Sequence, residues 1–405
     1  MHVNEAQVMK EKTPTSYIIH EISHICRTMK PRPPGSEGER EAADYMAGIL
    51  TRECGCKEIL TEPFLTHPGA FYGYFFVTSA LCILCTVFFF ICQWFSIVFG
   101  CLAVFLFLFQ FVLYRQVIDP LFPKRESVNI TAIRPCKGEI RQRIFLNGHI
   151  DAAWEFPLNY YFGGVVFEIP GVASLSGIIV YMILSVCALC NAGDWTDTAG
   201  LCGFVFLPFY ILLAATYNPK RIVDGANDNL SGCFLGIALL REMEQTGVSL
   251  KHTEVGVILT GSEEAGTRGA KQWCRVHKDD FRDVPTYILC LDTIHDPDQL
   301  MVNQKDLNST VKSDPALCRA FLQAAKTAGV PCRKGRVPLF GGSTDSAAFT
   351  QGGFHSAGVT GLSHVLEDYY HTRRDSWDNL NPQGLENCYL ALSTMIRTMD
   401  GEITR

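Results

Sequence analysis

The sequence predicts an α/β protein: a mostly parallel mixed sheet with helices on both faces, interrupted by two transmembrane helical hairpins. Three observations predict it. Short β-branched runs alternate with helical patterns, which implies crossover connections and a covered parallel sheet. Three long stretches carry no charge at all. Hydrophobic residues reach 48% and charged residues only 19%, where a soluble domain carries about a quarter charged residues.

The strand signals are Arg143–Asn147 (RIFLN), Glu254–Thr260 (EVGVILT), Thr286–Leu291 (TYILCL) and Ala357–Gly361 (AGVTG). Each is a short apolar or β-branched run ended by turn or polar residues. Helical patterns lie around them: Glu37–Leu50, Leu230–Gln245 closed by Gly247, Gly269–His277, Pro315–Ala328 closed by Gly329, and Leu385–Met399.

Residues 71–114 contain no Asp, Glu, Lys, Arg or His. A bilayer core needs about 20 helical residues, so this stretch suits two spans, roughly 71–92 and 94–114, with a turn near Gln93 and Trp94. Uncharged runs at 169–193 and 198–219 predict a second hairpin, with spans near 171–192 and 199–217. Pro208 lies inside the last span and predicts a kink there. The bland alternative is a large buried core, with Phe105, Phe107, Phe109 and Phe111 alternating as a strand. Removing the hairpins at 71–114 and 169–217 leaves one discontinuous domain of residues 1–70, 115–168 and 218–405.

Two complete hairpins return the chain to the side it left. Arg115, Lys124, Arg125, Lys220 and Arg221 flank the hairpin bases, while the turn on the far side holds only Asp194 and Asp197. The positive-inside rule therefore expects an integral, multi-pass protein with four spans and a cytoplasmic polar domain. The first residues lack the apolar core of a signal peptide, which agrees. Seventeen cysteines at irregular positions suit a reducing compartment rather than a disulfide framework. The Cys82-x-x-Cys85 and Cys187-x-x-Cys190 pairs lie in apolar spans and read as small packing residues. A net charge of −6 excludes the basic stripe of a nucleic-acid binder, and the apolar content excludes intrinsic disorder.

In open α/β sheets ligands collect beyond the carboxyl ends of strands. RIFLN runs into Gly148-His149-Ile150-Asp151, EVGVILT into Gly261-Ser262-Glu263-Glu264, TYILCL into Asp292, and the late strand leads to Tyr369-Tyr370-His371-Thr372. Asp228, in Gly225-Ala226-Asn227-Asp228-Asn229, lies just ahead of a helix start, where the helix dipole favours an anion. Two His and several carboxylates at one sheet edge make a nitrogen and oxygen ligand set suited to zinc. A shared Asp would let two ions sit about 3.5–4 Å apart. Each element alone is weak, since a lone His-x-Asp is more often loop chemistry and a Glu-Glu pair is usually solvated surface. Four such elements at strand and helix ends point to a metal centre.

In that order, GHID, GANDN, GSEE, LDT and YYHT resemble the zinc metallopeptidase family 28, which holds aminopeptidases, glutaminyl cyclases and glutamate carboxypeptidases. PRPPGSEGEREAADYM near the start and GGSTDSAAF at 341–349 resemble further segments of that family. The resemblance covers all three polar pieces and neither hairpin. It implies a zinc-exopeptidase-like fold and two zinc ions per chain. His149, Asp228 and Asp292 would hold one ion, and Asp228, Glu264 and His371 the other. Glu263 would be the general base acting on a metal-bound water, Asp151 would orient His149, and Tyr370 would help stabilise the oxyanion. From the residues alone, either adjacent glutamate could be the base. Residues 150–227 separate His149 from Asp228, where the family has a short loop, and the second hairpin fills that gap.

The expected function is a membrane-bound zinc aminopeptidase acting on peptides, with the lipid bilayer and no nucleic acid as its other partner. A glutaminyl cyclase, needing one zinc, and a carboxypeptidase or dipeptidase are the alternatives within the family. A non-catalytic membrane scaffold is the alternative outside it; missing ligands would mark it, and none is missing.

Overall fold

A computed structural model describes residues 13–363 and 367–403 of the chain. Eight strands form the main sheet: β1 (Glu58–Thr66), β2 (Arg125–Arg134), β3 (Gln142–His149), β4 (Thr253–Thr260), β5 (Thr286–Ile294), β6 (Leu300–Asn303), β7 (Arg333–Gly335) and β8 (His355–Gly361). Their order is β1-β2-β4-β3-β5-β8-β6-β7. The central four, β4-β3-β5-β8, run parallel, with His149 opposite Thr260 and Asp292 opposite Thr360. β1 and β2 continue the sheet antiparallel on one side, and β6 pairs antiparallel with β8 on the other. Four neighbouring carboxyl ends therefore share one edge, where the candidate ligands lie.

Helices cover both faces, as the alternating pattern predicts. One face carries α1 (Pro14–Thr28), α2 (Glu37–Glu53), the helix Ser231–Gln245, the helix Pro315–Thr327 and the helix Pro382–Ile403 over a single apolar core. The other face packs Trp273, Phe281 and Phe349 onto Phe145 and Ile288. Each expected strand and helix is present, with ends shifted by a few residues. The sequence reading did not anticipate α1, β1, β2, β6 and β7.

Two glycines bring the sheet edge and the helix Ser231–Gln245 together. A Cβ at Gly148 would sit 2.5 Å from the Cys233 nitrogen, and one at Gly232 would sit 2.3 Å from the Leu291 carbonyl oxygen. Only glycine lets β3, β5 and the start of this helix approach so closely. That approach carries Asp228 to His149 and Asp292.

Four helical segments are long and apolar enough to cross a membrane: Gly69–Phe89, Gln93–Val112, Gly164–Leu189 and Trp195–Ala214. The third begins several residues before the expected 171, because Glu168 sits in its second turn. An acidic side chain near a helix amino terminus is favoured by the dipole and need not end the helix. The second closes with a π-helical segment at Phe107–Val112, and the fourth breaks into two α-helices around a 3₁₀ turn at Gly203–Phe206, just before Pro208. The α-helical regularity therefore breaks beside Pro208, where the kink is expected. The four pack on one another: Ser185 donates to Ser96 at 3.0 Å, and Ser79 donates to the Tyr210 carbonyl at 2.6 Å. Their outward faces expose Phe76, Phe105, Ile179, Val186 and Leu201.

The bundle is tied firmly to the sheet domain. Asn308 donates to the carbonyls of Phe111 and Val112, and Arg268 holds Asp119 through two nitrogens at 2.7 and 2.9 Å. Elsewhere His277 joins the helix Arg268–Val276 to β1, with Nε2 2.8 Å from Glu62 and Nδ1 2.8 Å from Asp280. Burial alone would lower the His277 pKa, but hydrogen bonds to Glu62 and Asp280 raise it above the usual value. A raised folded pKa gives stability that is complete below the unfolded value of about 6.5 and lost as pH rises through the folded one. Wild type should therefore lose thermal stability relative to His277→Gln between pH 6 and pH 9. Parallel melting curves in detergent that stay equally spaced across this range would contradict it.

Candidate active site

His149 ends β3, and its Nε2 lies 3.1 Å from Asp228 Oδ1. The other Asp228 oxygen, Oδ2, lies 3.2 Å from His371 Nε2, which is itself 3.3 Å from Glu264 Oε2. Asp228 thus stands between the two imidazoles, one oxygen toward each. Ligand atoms of His149, Asp228 and Asp292 lie within 4.8 Å of one another, and so do those of Asp228, Glu264 and His371. A third grouping joins His149, Glu263 and Glu264, with Glu263 Oε2 3.8 Å from His149 Nε2. All five expected ligands and Glu263 therefore meet in one place. All are buried except Asp292, which is half-buried.

Electrostatics at this edge are those of crowded acids. Burial, then the negative charge of Asp228, pushes Asp292 up to about 8. Burial holds Glu263 well above the carboxylate range, with Asp345 and Glu264 adding repulsion and His149 opposing it. Burial would lower His371, but Glu264 and Asp228 raise it to about 10. Such a cluster holds protons that a divalent cation would displace. The donor set fits zinc: two imidazoles and three carboxylates, each cluster offering three protein ligands. Among the described residues Glu264 Oε1 is buried with no hydrogen-bond partner, an orphan that a cation would satisfy.

Residues 208–396, a little under half of the chain, match the sequence model of Peptidase family M28. That stretch is similar to the family. The matched stretch holds Asp228, Glu263, Glu264, Asp292 and His371, while His149 and Asp151 precede it. The fold is shared with a zinc aminopeptidase from Bacillus subtilis, at 12% identity and a TM-score of 0.57 over 95% of both chains. It is also shared with a glutaminyl cyclase from Bacteroides thetaiotaomicron, at 12% identity and a TM-score of 0.55, covering 95% of this chain and 96% of that one. A leucine aminopeptidase precursor from the same organism aligns at 12% identity and a TM-score of 0.54 over 95% of both chains. No curated protein sequence matches. Zinc is the metal of the Bacillus subtilis aminopeptidase that shares this fold.

Around the candidate ligands, other residues fix the loops. The Asp151 carboxylate accepts the backbone N–H groups of Glu263 and Glu264, both at 3.0 Å. His149 Nδ1 is nearer the Asp151 carbonyl, at 3.1 Å, than its carboxylate, at 3.6 Å. Asp151 therefore positions the glutamate pair as well as the imidazole. Asp375 accepts from the backbone N–H groups of Asn227 and Asp228, at 2.7 and 3.2 Å. Glu39 accepts from the Ser262 amide at 2.7 Å. Sequence reasoning missed Asp375 and the role of Glu39, although Ser36-x-x-Glu39 is a capping-box pattern. Ser262, Thr293 and His371, each beside or among the ligands, take left-handed φ values of 55°, 49° and 51°. Strain of this kind collects at functional sites.

The first apolar hairpin reaches the site itself. Tyr72 Oη, in the first turn of Gly69–Phe89, lies 3.4 Å from His371 Nδ1, where it fixes the ring. The Phe156 ring packs 4.5 Å from that of His371, and the Tyr370 ring stacks on it at 4.1 Å. A cavity of about 340 Å³ opens from Asp292, Tyr370 and His371. It continues between the apolar helices, along Phe71, Phe75, Phe107, Val172 and Leu175.

Proposed function

We propose that this protein is a membrane-embedded zinc exopeptidase, acting as an aminopeptidase on peptides. The observation that carries the proposal is the pair of three-residue clusters sharing Asp228, with Glu263 beside them and outside both. A shared carboxylate with one oxygen toward each cluster suits two ions. His149, Asp228 and Asp292 would hold one, and Asp228, Glu264 and His371 the other. Zinc supplies Lewis acidity to the scissile carbonyl and to the attacking water. Glu263, buried and close to both clusters, takes the proton from that water and returns it to the leaving amine. Asp151 holds the Glu263 backbone for this role. Tyr370, at the cavity wall, is placed to donate to the oxyanion.

A substrate panel tests the reaction class: leucine amides, peptides blocked at the amino terminus, and amino-terminal glutaminyl peptides. Metal-loaded protein in detergent should release the amino-terminal residue from the first group. Cleavage only from the carboxyl end, or cyclisation of the glutaminyl peptides alone, would reassign the activity within the family.

Membrane insertion is supported by the four apolar helices and their exposed outer faces. The charge asymmetry at the hairpin ends supports a cytoplasmic catalytic domain. With Cys190 and Cys202 changed to Ser, a cysteine introduced at Asp194 or Asp197 should react in intact cells with a membrane-impermeant thiol reagent. One introduced at Lys334 should react only after lysis. The reverse pattern would place the active site on the outer or luminal side.

A further inference from the structure

The cavity has two ends. One is the ligand cluster, at Asp292 and His371. The other lies among membrane helices, where Val172 and Phe340 line it yet are 63% and 48% exposed on the outer surface. Phe340 touches Phe107 of the second span, with ring centroids 5.3 Å apart, so this mouth lies at the level of the helix bundle. Resting on the reading of the site as an amide hydrolase, we propose that its substrate is an amide bearing a single long hydrocarbon chain. The chain enters sideways from the bilayer and lies between the spans while the amide sits at the ligand cluster.

The alternative occupant of such a space is an apolar peptide segment, and the wall argues against it. An extended peptide would need partners for every backbone N–H and C=O group. Among the described residues, the wall between the spans is mostly aromatic and aliphatic, with scattered polar groups at Glu168, Thr78, Ser174 and Thr216 and no strand edge, too few partners for an extended backbone. A hydrocarbon chain needs no partners. The reaction is hydrolysis: water's oxygen bonds to the carbonyl carbon, the C–N bond breaks, and the nitrogen leaves with water's proton as a free amine. The chain can lie on either side of that bond, as an alkyl amide of an amino acid or as an N-acyl amino acid.

The test uses the full-length metal-loaded protein in lipid nanodiscs with two substrate series, leucine n-alkylamides and N-acyl-leucines, each from two to fourteen carbons. Each buried methylene contributes about 0.8 kcal/mol, or about fourfold in kcat/KM. One series should climb with chain length and then level off once the cavity is full. The series that climbs identifies the side on which the chain sits. Gly171 lies at the bilayer mouth, and a Cβ there meets nothing within 4 Å, so Gly171→Trp should fold. The readout is the ratio of long-chain to short-chain kcat/KM, in which partition into the lipid cancels between variants. This ratio should fall at least tenfold in Gly171→Trp, and Ala103→Phe, deeper in the same cavity, should lower it too. In parallel, a dodecyl amide with a terminal diazirine should cross-link to residues 71–78 or 171–178, and Gly171→Trp should lose that adduct.

Flat chain-length profiles with normal turnover of short leucine amides would overturn this inference and leave the exopeptidase reading intact. So would a ratio unchanged in both variants. If no amide is hydrolysed, the exopeptidase reading fails. The adduct then decides the cavity alone, and an adduct confined to the lipid-facing surface overturns it.

Discussion

Asp228→Ala should abolish measurable turnover and reduce bound zinc from about two ions per chain to less than one. Asp228 is the one residue common to both proposed ligand sets, and its two oxygens face His149 and His371 at 3.1 and 3.2 Å. Burial alone would raise its pKa, but hydrogen bonds to the two imidazoles hold it well below the carboxylate range. It is therefore an anion at any working pH and draws cations to the cluster. Without it each cluster keeps two protein ligands, too few for a tight zinc site. The substitution should leave the fold in place, because the loop is held by Asp375 through backbone amides rather than by the Asp228 side chain. Metal analysis of purified protein, with peptide turnover, checks it. Two ions and retained activity in the variant would remove Asp228 from the site.

The parts of this site that were legible in the sequence share one property. His149, Glu263, Glu264 and Asp292 each follow a short β-branched run, so the strand signal itself places them at the carboxyl edge. Asp228 is marked by the helix start beside it. What stayed hidden depends on distant segments meeting. Asp375 acts on Asn227 and Asp228, and Tyr72 of the first hairpin on His371. Neither residue sits in a local pattern that reports such a partner. The missed strand β1 has a local cause. β1 includes Pro63 and two Glu and is largely exposed, as an edge strand tolerates, so no clean apolar run marks it. The four long apolar helices were legible because about 20 uncharged residues in a row have few other uses. Their direct part in the pocket was not, since lipid-facing and cavity-facing aromatics look alike in a sequence.

Glu263→Gln should separate metal binding from chemistry. Glu263 is outside both three-residue ligand sets that share Asp228, so zinc content should stay at the wild-type level. The substitution keeps the size of the side chain and removes its capacity to take a proton. General acid–base catalysis contributes about 10²–10⁴-fold, so kcat should fall by that factor while KM changes little. The neighbouring Glu264 cannot substitute. Its Oε2 faces His371 at 3.3 Å, and both backbone amides of the pair are pinned by Asp151 at 3.0 Å. That clamp also explains why the two adjacent acids take different tasks: each is held in one direction from a shared carboxylate. Glu264→Gln should consequently show the opposite signature, with zinc lost together with activity. If Glu264→Gln keeps its metal and Glu263→Gln loses it, the base and the ligand are exchanged, and Glu264 becomes the proton carrier.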